Sequence, residues 1–180
     1  MMVQAGIFLL DAVTGFLTTA LLLRFYMQAF RVSFNNPIGT FIVQLTNWLV
    51  KPLRRILPGL YGLDLASLLP AYFLQLILLL AIYASHIGVG EIPLDSFFAL
   101  LLWQGALATL RLSLYILIAA LILQAVLSWV NPYSALGQPV AQLTRPFLRP
   151  IQRLVPLIGN IDLSPLIALL LAQVVLMFLR

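Results

Sequence analysis

The chain has no cysteine, a single histidine (His86) and only five acidic residues among 180. Lack of cysteine excludes disulfides, thiolate catalysis, cysteine-ligated metal sites and iron–sulfur clusters. The lone histidine, expected near the outer end of a span, has no ligand spacing such as HExxH around it and is assigned no site. The five acids are accounted for by termini and loops, so no nucleophile and base can be nominated together. The short stretches "GLYG" and "GVG" lack the context of a phosphate loop or a dinucleotide site. No catalytic, cofactor-binding or metal site is therefore expected, and the reading is of a non-enzymatic protein without cofactor.

Charge is scarce too, at 8% of residues, whereas hydrophobic residues make up 63% and mean hydropathy is +1.08. That leaves too little polar surface to clothe a soluble globule. The expected class is an all-α integral membrane protein. A helix needs roughly 20 apolar residues to cross a hydrocarbon core about 30 Å thick. Four such stretches are predicted, at about residues 7–34, 65–87, 98–130 and 163–179. The first lacks a basic leader and carries Asp11, so it reads as a retained helix. The third is long enough that it is expected to begin as an interfacial segment near Phe97.

Basic residues set the expected orientation. Arg31, Lys51, Arg54, Arg55, Arg145, Arg149 and Arg153 cluster in the first and third connections and their rims, opposite Asp11, Glu91, Asp95 and Arg180. The basic loops are expected to be cytoplasmic, with both termini on the periplasmic side of a bacterial inner membrane. Arg111 is placed near the outer boundary, where it could answer Asp11, Glu91 or Asp95.

The chain also matches itself. A shift of 98 places aligns "QLT" at 44–46 with "QLT" at 142–144, Lys51-Pro52 with Arg149-Pro150, Arg55 with Arg153, Pro58 with Pro156 and Gln75 with Gln173. Upstream a shift of 95 aligns Asn36-Pro37 with Asn131-Pro132. Two units follow, 1–96 and 97–180, each with two spans and hence entering from the same side as parallel repeats. Between its spans each unit carries an amphipathic interface element, at 38–58 and 138–156. Pro52 and Pro150 are expected to open a short helix there, and Pro58 and Pro156 to stop it. Lys51, Arg54 and Arg55 would share one arc, and Arg145, Arg149 and Arg153 a second. Leu49, Leu53, Ile56, Leu57, Phe147, Ile151, Leu154 and Val155 would face acyl chains or other helices.

Asp64 and Asp162 each precede a span, where aspartate is a good N-cap. Ser164-Pro165 strengthens the second start. Ion pairs Arg55–Asp64 and Arg153–Asp162 would pin the interface element to the span that follows. Arg24, Gln28 and Arg31 recur as a polar stripe along the first helix. Arg24 can be read as part of an anion or proton path, or as a snorkelling or helix-packing arginine. The second reading is adopted, because the other unit offers Gln124 and Ser128 there but no arginine. Gln75 and Gln173, inside the second and fourth spans, are read as interhelical glue.

The elements "LSWVNP", "LTRPFLRPIQRLVP" and "IDLSP", with degenerate copies upstream, resemble the YggT/YlmG family of small integral membrane proteins over nearly the whole chain. Pro146, Arg149, Pro150, Arg153, Pro156, Asp162, Ser164 and Pro165 match its motif. Trp48, Ala66 and Ser67 depart from it in the first unit. The resemblance implies association with cytochrome assembly, nucleoid or division-site organisation, or osmotic stress, without an assigned molecular activity. The expected role is a membrane factor supporting assembly or organisation of envelope protein complexes. Its basic elements would meet anionic headgroups and a membrane-protein partner, with homo-oligomers permitted. An osmotic-stress transport or channel component is the alternative. Nucleic acid is disfavoured as a partner, because the basic residues sit among prolines and apolar anchors.

Overall fold

The computed structural model describes residues 1–57, 59, 62–86, 94–131, 134–154 and 163–179, with the side chains of 86, 94, 95, 129 and 130 left aside. Among the described residues all regular structure is helical: α1 (Met2–Ala29), α2 (Pro37–Ile56), α3 (Leu65–His86), α4 (Leu94–Val130), α5 (Gly137–Leu154) and α6 (Ser164–Phe178). The order is a long apolar helix, an amphipathic helix and another apolar helix, twice over.

α1, α3 and α4 are long and apolar enough to cross a membrane. α6 is apolar but has 15 residues. At 1.5 Å per residue it is about 22 Å long, short of a full hydrocarbon core. The helix agrees with the expected stretch at 163–179 to within one residue at each end. α4 is unbroken over 37 residues, so Phe97 lies inside it. Close packing holds its first half against α3. A Cβ on Gly105 would lie 2.4 Å from Leu76 Cδ2, and the Tyr72 hydroxyl donates to the Leu102 carbonyl at 2.9 Å.

α1 stops five residues before its apolar run ends. Val32 N–H donates to the Met27 carbonyl at 2.8 Å and Arg31 N–H to the Gln28 carbonyl at 3.1 Å. Those two bonds, with Arg31 left-handed at φ 55°, make a Schellman close, and Met27 and Val32 are buried together behind it. Arg31 therefore lies beyond the helix, and the expected polar stripe ends at Gln28.

α2 opens where Asn36 Oδ1 accepts from Gly39 N–H at 2.9 Å and Pro37 takes the first position. Gly39 is required there, since a Cβ would come within 2.6 Å of the Phe34 carbonyl oxygen. Pro52 and Pro150 do not open short helices as expected but lie inside α2 and α5, as does Pro146. An interior proline cannot bond the carbonyl four residues back. Here those carbonyls belong to Trp48, Gln142 and Pro146, and all three residues are exposed, so the freed acceptors sit on the outer face.

The core has three parts. Leu21 and Leu22 of α1 meet Val50 of α2 and Ala66 and Ala71 at the start of α3. Met27, Ile42, Ala120 and Leu143 tie α1, α2, α4 and α5 together. Leu121, Leu148 and Ala168 join α4, α5 and α6. Pro58, Glu91, Val155, Pro156, Asp162 and Arg180 lie outside the described residues, and with them the expected helix stops and the Arg153–Asp162 pair.

Candidate functional site

Where α1, α2 and the start of α3 converge, two arginines surround one carboxylate. The ridge Ile42, Thr46, Val50 is buried, and the next step of four along it reaches Arg54. That phase, rather than Arg55, turns toward α3. Arg54 Nε donates to Asp64 Oδ1 at 3.2 Å and its Nη2 to Oδ2 at 2.6 Å. The same Nη2 donates to Gln28 Oε1 at 2.7 Å. Ser67 Oγ donates to Asp64 Oδ2 at 2.7 Å.

Asp64 begins α3, its carbonyl accepting from Ser67 and Leu68 N–H, while its carboxylate serves Arg54 and Ser67. The expected Arg55–Asp64 pair is replaced by Arg54–Asp64, and Arg55 is exposed.

Arg24 lies deeper on α1 and is 4% exposed, against 2% for Asp64. Its Nη1 donates to Thr46 Oγ1 at 2.7 Å and Nη2 to Asn47 Oδ1 at 3.2 Å. Its Nε is 4.0 Å from Asp64 Oδ2 and makes no hydrogen bond. The Thr46 hydroxyl in turn donates to the Ile42 carbonyl at 2.6 Å. Burial alone would push the Asp64 carboxyl up. The hydrogen bonds from Arg54 and Ser67, with the charges of Arg54 and Arg24, outweigh it and hold the group below the usual carboxylate range. A carboxylate so held is a poor proton acceptor near neutrality. The arrangement suits a charged clasp between three helices rather than acid–base chemistry.

The second unit keeps the threonine, with Gln124 of α4 as its side-chain partner in place of an arginine. Thr144 is fully buried, like Thr46, and its hydroxyl bonds the Gln124 side chain of α4 and the Val140 carbonyl at 3.0 Å. Thr46, Asn47, Ser67 and Thr144 were not singled out from sequence. For the two threonines the repeated "QLT" is the available signal, a polar residue kept on an otherwise buried ridge.

The remaining expected residues separate into two groups. Lys51, Arg55, Arg145, Arg149 and Arg153 are all exposed, as are Pro146 and Pro150. On α5 the arginines follow at steps of four along one face of an unbroken helix. Leu49 and Leu53 pack into the first core cluster and Ile151 against the third. Phe147 meets Phe30 edge-on, whereas Ile56 and Leu154 point outward. Gln75 is buried but Gln173 is exposed, so the two are not equivalent. Ser164 is buried at the start of α6, with Leu163 as its N-cap and Pro165 in the first turn. Arg111 makes no ion pair with Asp11 among the described residues, and Glu91 and the Asp95 side chain lie outside them. The Arg111 Nε donates to the Leu179 carbonyl at 2.6 Å, at the C-terminus of α6, where a cation is favourable. No cluster of metal-ligating side chains occurs among the described residues.

Comparison with known proteins gives a consistent result. The family model CCB3/YggT matches residues 3–84 and 103–180. The chain is 39% identical over 169 residues to an uncharacterised protein of Pseudomonas aeruginosa, covering 92% of this chain and 83% of the relative. It is 37% identical over 170 residues to the uncharacterised protein YggT of Escherichia coli strain K12, covering 93% and 85%. An uncharacterised Haemophilus influenzae protein is 32% identical over 150 residues, covering 83% and 77%. No solved structure matches.

Proposed function

The chain belongs to the CCB3/YggT family, and from that premise we propose that it is a non-enzymatic factor of the bacterial inner membrane that supports assembly or organisation of envelope protein complexes. The supporting observation is a division of labour among its cations. Arg24 and Arg54 are turned inward onto Thr46, Asn47, Gln28 and Asp64. Lys51, Arg55, Arg145, Arg149 and Arg153 are exposed on α2 and α5. Each well-placed cation near an anionic leaflet is worth about 1 kcal/mol. The outer faces therefore meet anionic headgroups and a membrane-protein partner, while the inner clasp fixes their angle to the bundle. Arg24 is already engaged by two partners, which favours docking over a conducting role.

In this reading α1, α3, α4 and α6 cross the membrane as two parallel units, with α2 and α5 on the cytoplasmic face and both termini outside. Support comes from the repeated helix order and from a family model that matches in two segments. The absence of native cysteine makes orientation directly measurable. Ser134→Cys should react with an impermeant maleimide only from the cytoplasmic side, and Met2→Cys only from the other.

The role itself is tested by placing a photoreactive group at Arg55 or Arg149 in native membranes. A discrete membrane protein should be captured and then lost on Arg145→Glu with Arg153→Glu. Capture of lipid alone defeats the partner reading. Anion or cation flux in proteoliposomes that collapses on Arg24→Leu would establish the transport alternative instead.

A further inference from the structure

α1 and α4, the long helices of the two halves, touch over little of their length. Between them lies an apolar cleft of about 300 Å³, walled by Leu23 and Met27 of α1, Leu112, Ile116 and Leu123 of α4, and Leu143 of α5. At the α2–α5 end it adjoins a polar recess of about 470 Å³, and Pro139 borders both. The recess is lined by Ser33, Asn35, Asn36, Ser134, Gln138 and Gln142.

We propose that this compound cleft binds one membrane lipid of zero net charge, with an acyl chain between α1 and α4 and a hydrogen-bonding headgroup in the Asn–Gln recess.

The apolar part cannot be a water site. Its walls are almost wholly apolar, and the Thr19 hydroxyl among them is already bonded to the Gly15 carbonyl at 2.8 Å, so the space stays dry or takes an apolar guest. In a bilayer the available apolar guest is an acyl chain. From Leu112 to Leu123 the cleft follows α4 for about 16 Å, a shape suited to a chain rather than a compact solute.

The recess selects the headgroup. No Lys, Arg, Asp or Glu lines it among the described residues, so neither a net anion nor a net cation finds a counter-charge there. The side-chain amides of Asn35, Gln138 and Gln142 bond to no other described residue. Each offers donors and an acceptor, which fits a zwitterion carrying both a phosphate and an ammonium. This site differs in chemistry from the outer faces of α2 and α5, whose cations prefer anionic lipid.

The test uses the full chain in nanodiscs of equal phosphatidylethanolamine and phosphatidylglycerol, followed by native mass spectrometry after release. One phosphatidylethanolamine should stay bound per chain. Ala119→Phe, which fills the cleft, should lower its occupancy about tenfold. Lys51→Ala with Arg55→Ala should leave it unchanged. Should the Phe variant fold poorly, a phosphatidylethanolamine with a diazirine in its acyl chain applied to the unaltered protein decides the matter. Label on the α1 and α4 peptides containing Leu23 and Ile116 supports the site. Label elsewhere, retention of phosphatidylglycerol instead, no retained lipid on folded protein, or crosslinks between two copies through Leu112 would each overturn it.

Discussion

Arg54 grips both oxygens of Asp64, at 3.2 and 2.6 Å, while its neighbour Arg55 is exposed. The difference is one helical step. Removing either partner of a buried pair costs about 3–5 kcal/mol, but the Arg54 side chain is 44% exposed and water moderates its loss. Arg54→Ala should lower stability by about 1–2 kcal/mol and Asp64→Ala by about 3, since the latter leaves Arg24 without a nearby counter-charge. Arg55→Ala should stay within about 0.5 kcal/mol. Thermal unfolding in one fixed detergent ranks the three, and equal losses from Arg54→Ala and Arg55→Ala would contradict the pairing.

Acid should loosen the same clasp. The folded Asp64 carboxyl titrates below its ordinary range, so between the two values the unfolded chain holds more protons. Its contribution is complete above the unfolded value near 3.9 and fades as pH falls through the lower, folded one. A melting-temperature profile from pH 7 downward should show this acid limb, and Asp64→Asn should flatten it.

Thr46→Val leaves Arg24 Nη1 buried without its acceptor, a loss of about 1–3 kcal/mol. Thr144→Val removes a neutral partner from Gln124 and should cost less, about 1 kcal/mol. Chemical denaturation of the two variants side by side would show whether the charged clasp outweighs the neutral one.

Backbone geometry gives a pair of opposite signs. Arg31 holds a left-handed conformation that disfavours any Cβ, so Arg31→Gly should stabilise by about 0.5–1 kcal/mol. Gly39→Ala should destabilise by about 1–3 kcal/mol, because the new Cβ meets the Phe34 backbone rather than a movable side chain. Failure of either sign in thermal melts would contradict the turn described.

Apolar runs and prolines made the helices and the two amphipathic elements legible, because a span and an interface helix have plain compositional marks. Pairing was less legible, for reasons of phase. A helix read as starting at Pro52 places Arg54 and Arg55 as equals on one arc. Extended back to Pro37, the same helix carries the buried ridge of Ile42, Thr46 and Val50 forward to Arg54. Arg111 shows a second limit. Its acceptor is a backbone carbonyl of Leu179, and no residue type in the sequence advertises a carbonyl.

The prolines inside α5 bear on the order in which the molecule is made. Each interior proline costs an isolated helix about 3 kcal/mol, and an 18-residue segment holding Pro146 and Pro150 has nothing of its own to offset that. Its helicity must come from seating Val140, Leu143 and Leu148 on α4 and its neighbours. As it leaves the ribosome, then, this arginine-bearing stretch is a pliant strap rather than a preformed wedge. It takes its final shape only once the bundle it will brace already stands.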